Sequence, residues 1–234
     1  MKQFHLCKSS LLSVIFLAIL PGARANSTVT VDPGANWIGY MNWSPVVGDA
    51  LGYGGSGSSS WGTADLDATF SGGTLIITPN TSISRDVPQP NPYWWNANGT
   101  GANVMDANMY VETTGTYVGT TLTFTGDVLA NTLVSPYSSV AFIKDFAPDY
   151  SSFTIQTIAI TPGVFSLSLL TGGAGDHVQY GFETFGPNAN LATVANLGSI
   201  QVTAVPEPSA LAMLAAGMAI CLVWKPKALA KVNA

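Results

Sequence analysis

The chain has 234 residues and a formal net charge of −5, with 9% charged and 47% hydrophobic residues. Eight Lys and Arg against thirteen Asp and Glu exclude a protein that neutralises phosphates along a basic face, so nucleic acid is not an expected partner. The composition is neither collagen-like nor that of a disordered polyelectrolyte, and the length suits one domain with appendages.

The first appendage comes at the N-terminus. Lys2 and Lys8 flank the start of an apolar run, Leu11 to Leu20, which Pro21-Gly22 breaks before the small-x-small pattern Ala23-Arg24-Ala25. This order of parts predicts a secretory signal peptide over residues 1–25, cleaved after Ala25. The run is about half of the roughly 20 residues that a membrane span needs.

Between residues 26 and 204 only Arg85 and Lys144 are basic, against twelve acids, a net charge of −10. Such a body favours divalent cations or neutral polymers over anionic partners. It contains no cysteine, because Cys7 and Cys221 both lie in the flanking segments. Disulfides, thiolate metal sites and a cysteine nucleophile are therefore excluded from it.

The body reads as β throughout. Strands are predicted at 27–31, 74–78, 116–124, 139–143, 153–160, 164–170, 178–183 and 200–204, from period-2 alternation or short apolar runs bounded by turn residues. Thr161-Pro162-Gly163 suits a type II turn, with proline setting φ at its first central position and glycine accepting positive φ at the second, and it predicts a hairpin. Two segments read as loops: the glycine-serine stretch 52–60, and 80–103, which sets three prolines against Tyr93-Trp94-Trp95. About 180 residues suffice for a two-sheet core. The expected fold is all-β, an antiparallel jelly-roll-like sandwich over residues 26–204.

No catalytic residues are assigned. The only histidine of the body is His177, so a multi-histidine zinc site is excluded, and no GxSxG elbow surrounds any serine. Gly52, Gly54 and Gly57 spell GxGxxG, but no strand leads into them and no helix follows. Paired carboxylates keep glycan hydrolysis or lysis open as the alternative function. Asp65 and Asp67 are read as sharing one strand face, and Glu183 as lying on the strand face opposite Tyr180 and Phe182. Asp145, Asp149 and Asp176 fall at predicted strand ends, where they read either as turn caps or as calcium ligands. Tyr93, Trp94 and Trp95 read either as a glycan-stacking platform or as a loop tucked over the sandwich by its aromatics.

The second appendage is at the C-terminus. Val205-Pro206-Glu207-Pro208-Ser209 precedes an uncharged run, residues 210–224, and a lysine-bearing tail, residues 225–234. Fifteen helical residues rise about 22 Å, short of a roughly 30 Å hydrocarbon core, and Trp224 with a snorkelling Lys225 extends the reach. The lysines behind the run place the body outside the cytoplasm. This tripartite end resembles the PEP-CTERM sorting signal. The resemblance implies processing by an exosortase, a membrane-embedded enzyme, and association with exopolysaccharide and biofilm. The tail departs from the family in having lysines interrupted by Pro226 and alanines where a tighter arginine-rich cluster is usual. The segment from Tyr117 onward, in particular Ala141 to Ser152, resembles the carbohydrate-binding-module-like bodies of other such proteins. The expectation is thus an exported protein, first anchored by one helix and then displayed at the cell surface or in the extracellular matrix. No catalytic activity is expected of it and glycan binding is, with a secreted polysaccharide-acting enzyme using paired carboxylates or a passive structural module as the alternatives.

Overall fold

The computed structural model describes residues 26–47 and 54–205. The predicted signal peptide and the predicted tail helix lie outside the described residues. Among the described residues, no helix is long and apolar enough to cross a membrane.

Among the described residues, twelve strands, numbered in chain order, form two sheets. The first contains β1 (Ser27–Thr30), β4 (Ala68–Ser71), β5 (Thr74–Ile77), β7 (Thr121–Asn131), β10 (Gly163–Leu170) and β12 (Ile200–Thr203). The second contains β2 (Trp37–Pro45), β3 (Gly57–Trp61), β6 (Asn103–Thr114), β8 (Ser138–Phe146), β9 (Phe153–Ala159) and β11 (His177–Pro187). A short helix, α1 (Ser82–Asp86), follows β5.

In the first sheet the neighbours run β4-β5-β12-β7, and β10 lies along residues 121–128 of β7. The opposite edge of β7 is shared: β1 pairs parallel with residues 122–125 and β12 antiparallel with residues 127–131. The second sheet runs β3-β2-β6-β11-β8-β9, antiparallel at every pair. From β5 onward the chain crosses between the sheets at every step except β8 to β9. Strands distant in sequence therefore become neighbours, which is the winding of a jelly roll.

Alternation decides which side chains meet between the sheets. Met105, Met109 and Val111 of β6, with Val178, Tyr180 and Phe182 of β11, face Leu122, Phe124 and Val128 of β7 and Phe165 of β10 in one buried cluster. Phe124 is its centre, with ring centroids 5.3 Å from Phe165, 5.3 Å from Tyr180 and 5.5 Å from Phe182. Trp37 and Trp43 are six residues apart on β2 and so share a face; both pack on this core, whereas Tyr40 points to the opposite face.

Several local expectations are corrected by long-range pairing. Gly163 has φ +111°, but Thr161-Pro162-Gly163 is not a hairpin: β9 pairs with β8 and β10 with β7, so this turn carries the chain from one sheet to the other. Buried Ile160 pins that corner, its N–H donating to the Ser139 carbonyl and its carbonyl accepting from Asn131 Nδ2. Within the expected flexible stretch 52–60, residues 57–60 lie in the edge strand β3, packed against Trp43. The strand expected at 116–124 starts only at Thr121. Asp65 and Asp67 lie in a turn rather than on a strand face. Asp67 binds Arg85 at 2.7 Å and accepts from the Thr81 N–H and hydroxyl.

Candidate functional site

In a two-layer sandwich the outward residues of each strand ordinarily face water. The central strand β11 departs from this: its outward residues Gln179, Gly181 and Glu183 are buried. Gln179 and Glu183 lie on the floor of a groove of about 670 Å³ on the outer face of the second sheet. Tyr40, Asn42, Asp106, Tyr110, Lys144, Phe146, Tyr150 and Phe153 are among the residues that line it.

Register brings these residues into rows. Gly181 lies between Tyr110 and Phe142, whose ring centroids are 6.4 Å apart. A Cβ at 181 would fall 2.1 Å from the Met109 carbonyl oxygen and 2.6 Å from Tyr110 Cα. Glycine is therefore required where the two central strands approach. Gly181→Ala is expected to lower stability by about 1–3 kcal/mol, measurable by urea denaturation.

A polar chain runs across the floor. Asn42 Nδ2 donates to Asp106 Oδ2 at 3.1 Å, and Asn108 Nδ2 donates to Asp106 Oδ1 at 2.8 Å. Lys144 Nζ donates to Asn108 Oδ1 at 2.9 Å and lies 3.5 Å from Glu183 Oε1. The same ammonium sits 4.3 Å above the Phe142 ring centroid, a cation–π contact that fixes its position. Burial pushes the Glu183 carboxyl up to about 7, against the pull of Lys144 and with a contribution from hydrogen-bonded Asp106. Both Asp106 oxygens already accept amide bonds, from Asn42 and Asn108.

One end of the groove is aromatic. Tyr150, held at φ +57°, stacks on His177 with centroids 4.2 Å apart and donates to Glu112 Oε1 at 3.0 Å. Burial, then this bond to Glu112, pushes its phenol up to about 12. Glu112 Oε2 accepts from Gln179 Nε2 at 2.6 Å. His177 contacts Thr114 Oγ1 and the Pro148 carbonyl through its two ring nitrogens. It is thus held by packing on Tyr150 and by contacts at both ring nitrogens.

The tryptophan loop does not form a flat platform. Trp95 is 3% exposed and belongs to the core; its indole N–H donates to the Val87 carbonyl. Trp94 packs against Trp43 at 5.7 Å. Tyr93 is 41% exposed, but its hydroxyl accepts from the Trp43 indole. Asn103 and Asn188 tie the loop backbone down at the Tyr93 and Trp94 carbonyls. The two tryptophans pack on the sandwich, as in the tucked-loop alternative, while Tyr93 stays exposed.

Asp145 and Asp176 converge on Gly172–Gly173, whereas Asp149 caps the Ser151 N–H at 3.0 Å. Among the described residues, no three His, Cys, Asp or Glu side chains form a group, so the three aspartates do not assemble as one set.

The sequence reading missed most of the groove. Residues 103–114 alternate Met105, Ala107, Met109 and Val111 with Asp106, Asn108, Tyr110 and Glu112. That period-2 signal marks both the strand and its polar face. Asn, Asp, Ala and Met, which are not strand formers by propensity, conceal it.

No curated protein and no solved structure matches the chain. Residues 204–227 match the PEP-CTERM protein-sorting motif. That motif implies export, sorting by an exosortase at the membrane and display at the cell surface. The chain thus carries a PEP-CTERM sorting motif behind an all-β sandwich.

Proposed function

We propose that the sandwich is a non-catalytic polysaccharide-binding module, delivered to the cell surface by the sorting motif and retaining exopolysaccharide there through the groove on its second sheet. A sugar presents hydroxyls around an apolar C–H face. The groove offers the complementary surface: a floor of side-chain amides and carboxyls held by one another, and walls of tyrosine and phenylalanine. Prepositioned polar groups among aromatic side chains favour binding, because little side-chain freedom remains to be lost. Asp106, Glu112 and Glu183 face a single Lys144 there, which favours a neutral polymer over an anionic one.

The groove as a whole carries this reading. Its test is co-sedimentation of the detergent-solubilised full chain with exopolysaccharide. Tyr150→Ala combined with Phe153→Ala is expected to weaken binding at least about tenfold, with an unchanged circular dichroism spectrum. Absence of sedimentation at high protein concentration would overturn the reading.

The raised Glu183 carboxyl supports a second reading, glycan cleavage. The carboxyl separations favour binding instead. Asp106 is in hydrogen-bond contact with Glu183. Glu112 pairs with Gln179, four residues from Glu183 along β11, or about 13 Å of strand. The contacting pair is closer than the roughly 5–5.5 Å of a retaining pair or the roughly 6.5–9.5 Å of an inverting pair, and Glu112 is bound instead to Gln179 and Tyr150. Release of reducing ends by the native protein but not by Glu183→Gln would establish cleavage.

A further inference from the structure

Where β8, β10 and β11 meet at one end of the sandwich, two carboxylates converge on a glycine. Asp145 faces the interior from β8 and is 7% exposed; its Oδ2 accepts the Gly172 N–H at 2.6 Å. Asp176 Oδ2 accepts the Gly173 N–H at 2.7 Å. A Cβ on Gly172 would lie 2.3 Å from Asp176 Oδ2 and 3.4 Å from Asp145 Oδ2, so Gly172 sits in the fork between them.

Asp145 Oδ1 is buried without a hydrogen-bond partner, and so is Thr120 Oγ1. Thr171, the residue before Gly172, gathers further oxygens. The Thr171 hydroxyl shares its hydrogen between the Tyr117 and Thr120 carbonyls and accepts the Thr120 N–H, and the Thr171 N–H donates to the Thr120 carbonyl. An unpartnered buried carboxylate oxygen is costly, and a buried charge ordinarily has a counter-charge. The body has two basic side chains to supply one. Arg85 is bound to Asp67, and Lys144 lies in the groove on the opposite face of the second sheet. Burial pushes the Asp145 carboxyl up, the Gly172 N–H opposes this, and the Asp176 charge adds to the rise.

We propose that Asp145 and Asp176, together with oxygens of Thr171 and of the 117–120 loop, form a calcium site that joins the two sheets at this end. Carboxylate, carbonyl and hydroxyl oxygens without nitrogen or sulfur suit a hard cation. Asp176 lies in the turn from β10 to β11, Asp145 on β8 and Thr120 at the start of β7. The ion therefore ties a crossover turn to both layers. The site is separate from the groove and does not depend on glycan binding.

The test is calcium titration of the detergent-solubilised full chain after EDTA treatment, read by thermal unfolding and isothermal calorimetry. The expected result is one ion per chain and a rise in Tm of about 5 °C at saturation. Asp176→Asn is expected to abolish both. Asp145→Asn is expected to abolish the calcium response while matching or exceeding the native Tm in EDTA, because the amide carries no buried charge. A merely structural aspartate would lose stability in EDTA as well. No calcium-dependent change in the native protein, or an unaltered response in both variants, overturns the proposal.

Discussion

Replacing Phe124 by alanine is expected to lower stability by about 3–5 kcal/mol. The ring is fully buried at the centre of the contact between sheets, and Phe165, Tyr180 and Phe182 surround it from β10 and β11. The surrounding rings cannot close over the gap without moving two strands, so the cavity term adds to the transfer term. A domain whose stability is about 5–15 kcal/mol loses a large part of it. The contrast is Phe153→Ala on β9, where the ring is 54% exposed and a change within about 1 kcal/mol is expected. Urea denaturation of both variants checks the pair. Similar midpoints would mean that Phe124 does not form the centre of the core.

The second large effect depends on pH. Glu183 in the folded protein titrates at about 7, against 4.5 for the free side chain. Below 4.5 both states hold the proton and the group is neutral in its effect. Between these values the folded state binds more protons than the unfolded one, so stability falls as pH rises. Above 7 the penalty is complete, about 3 kcal/mol. The physical cause is the burial of a carboxylate on the groove floor beside Asp106, incompletely offset by Lys144. Asp145, also raised by burial, contributes a slope of the same sign. Glu183→Gln is therefore expected to flatten the profile between pH 5 and 8 and to be more stable than the native protein at pH 8. Chemical denaturation at several pH values measures this; native stability that is level or rising over that range would contradict the buried pair.

Under the proposed function, stability and binding oppose each other in the groove. The Glu183→Gln protein is expected to be more stable, yet the native acid sits where a ligand hydroxyl would meet it. Buried, imperfectly compensated charge is characteristic of binding and catalytic surfaces. Lys144 shows how narrowly this floor is compensated: one ammonium serves Asn108, Glu183 and the Phe142 ring together.

Much of the fold is legible without coordinates. Runs such as 153–160 and 164–170 alternate strongly enough for strand assignment, because a side chain on a strand has only two faces to choose between, and 74–78 is a short apolar run after a Gly-Gly turn. The same alternation puts Glu183 opposite Tyr180 and Phe182. The hairpin expected at Thr161-Pro162-Gly163 fails because a turn sequence specifies local φ and ψ, not the partners of the strands it joins. The tryptophan loop is ambiguous because an aromatic ring in a proline-rich segment can be displayed or buried. Asn103, Asn188 and Trp43, 10, 94 and 50 residues from their bonding partners in the loop, decide for burial.

Features read from neighbouring residues needed no coordinates at all. The sorting motif is a contiguous order of residues, the strands follow from a two-residue period, and the acidic, cysteine-free body is a matter of counting. The groove and the paired aspartates arise only in the folded chain. Gln179 meets Glu112 across 67 residues, Lys144 meets Asn108 across 36, and Gly172 meets Asp145 across 27. The groove's polar residues belong to separate strands that become adjacent only when the chain winds between two sheets, and burial of the inner faces sets the register that aligns the outer ones.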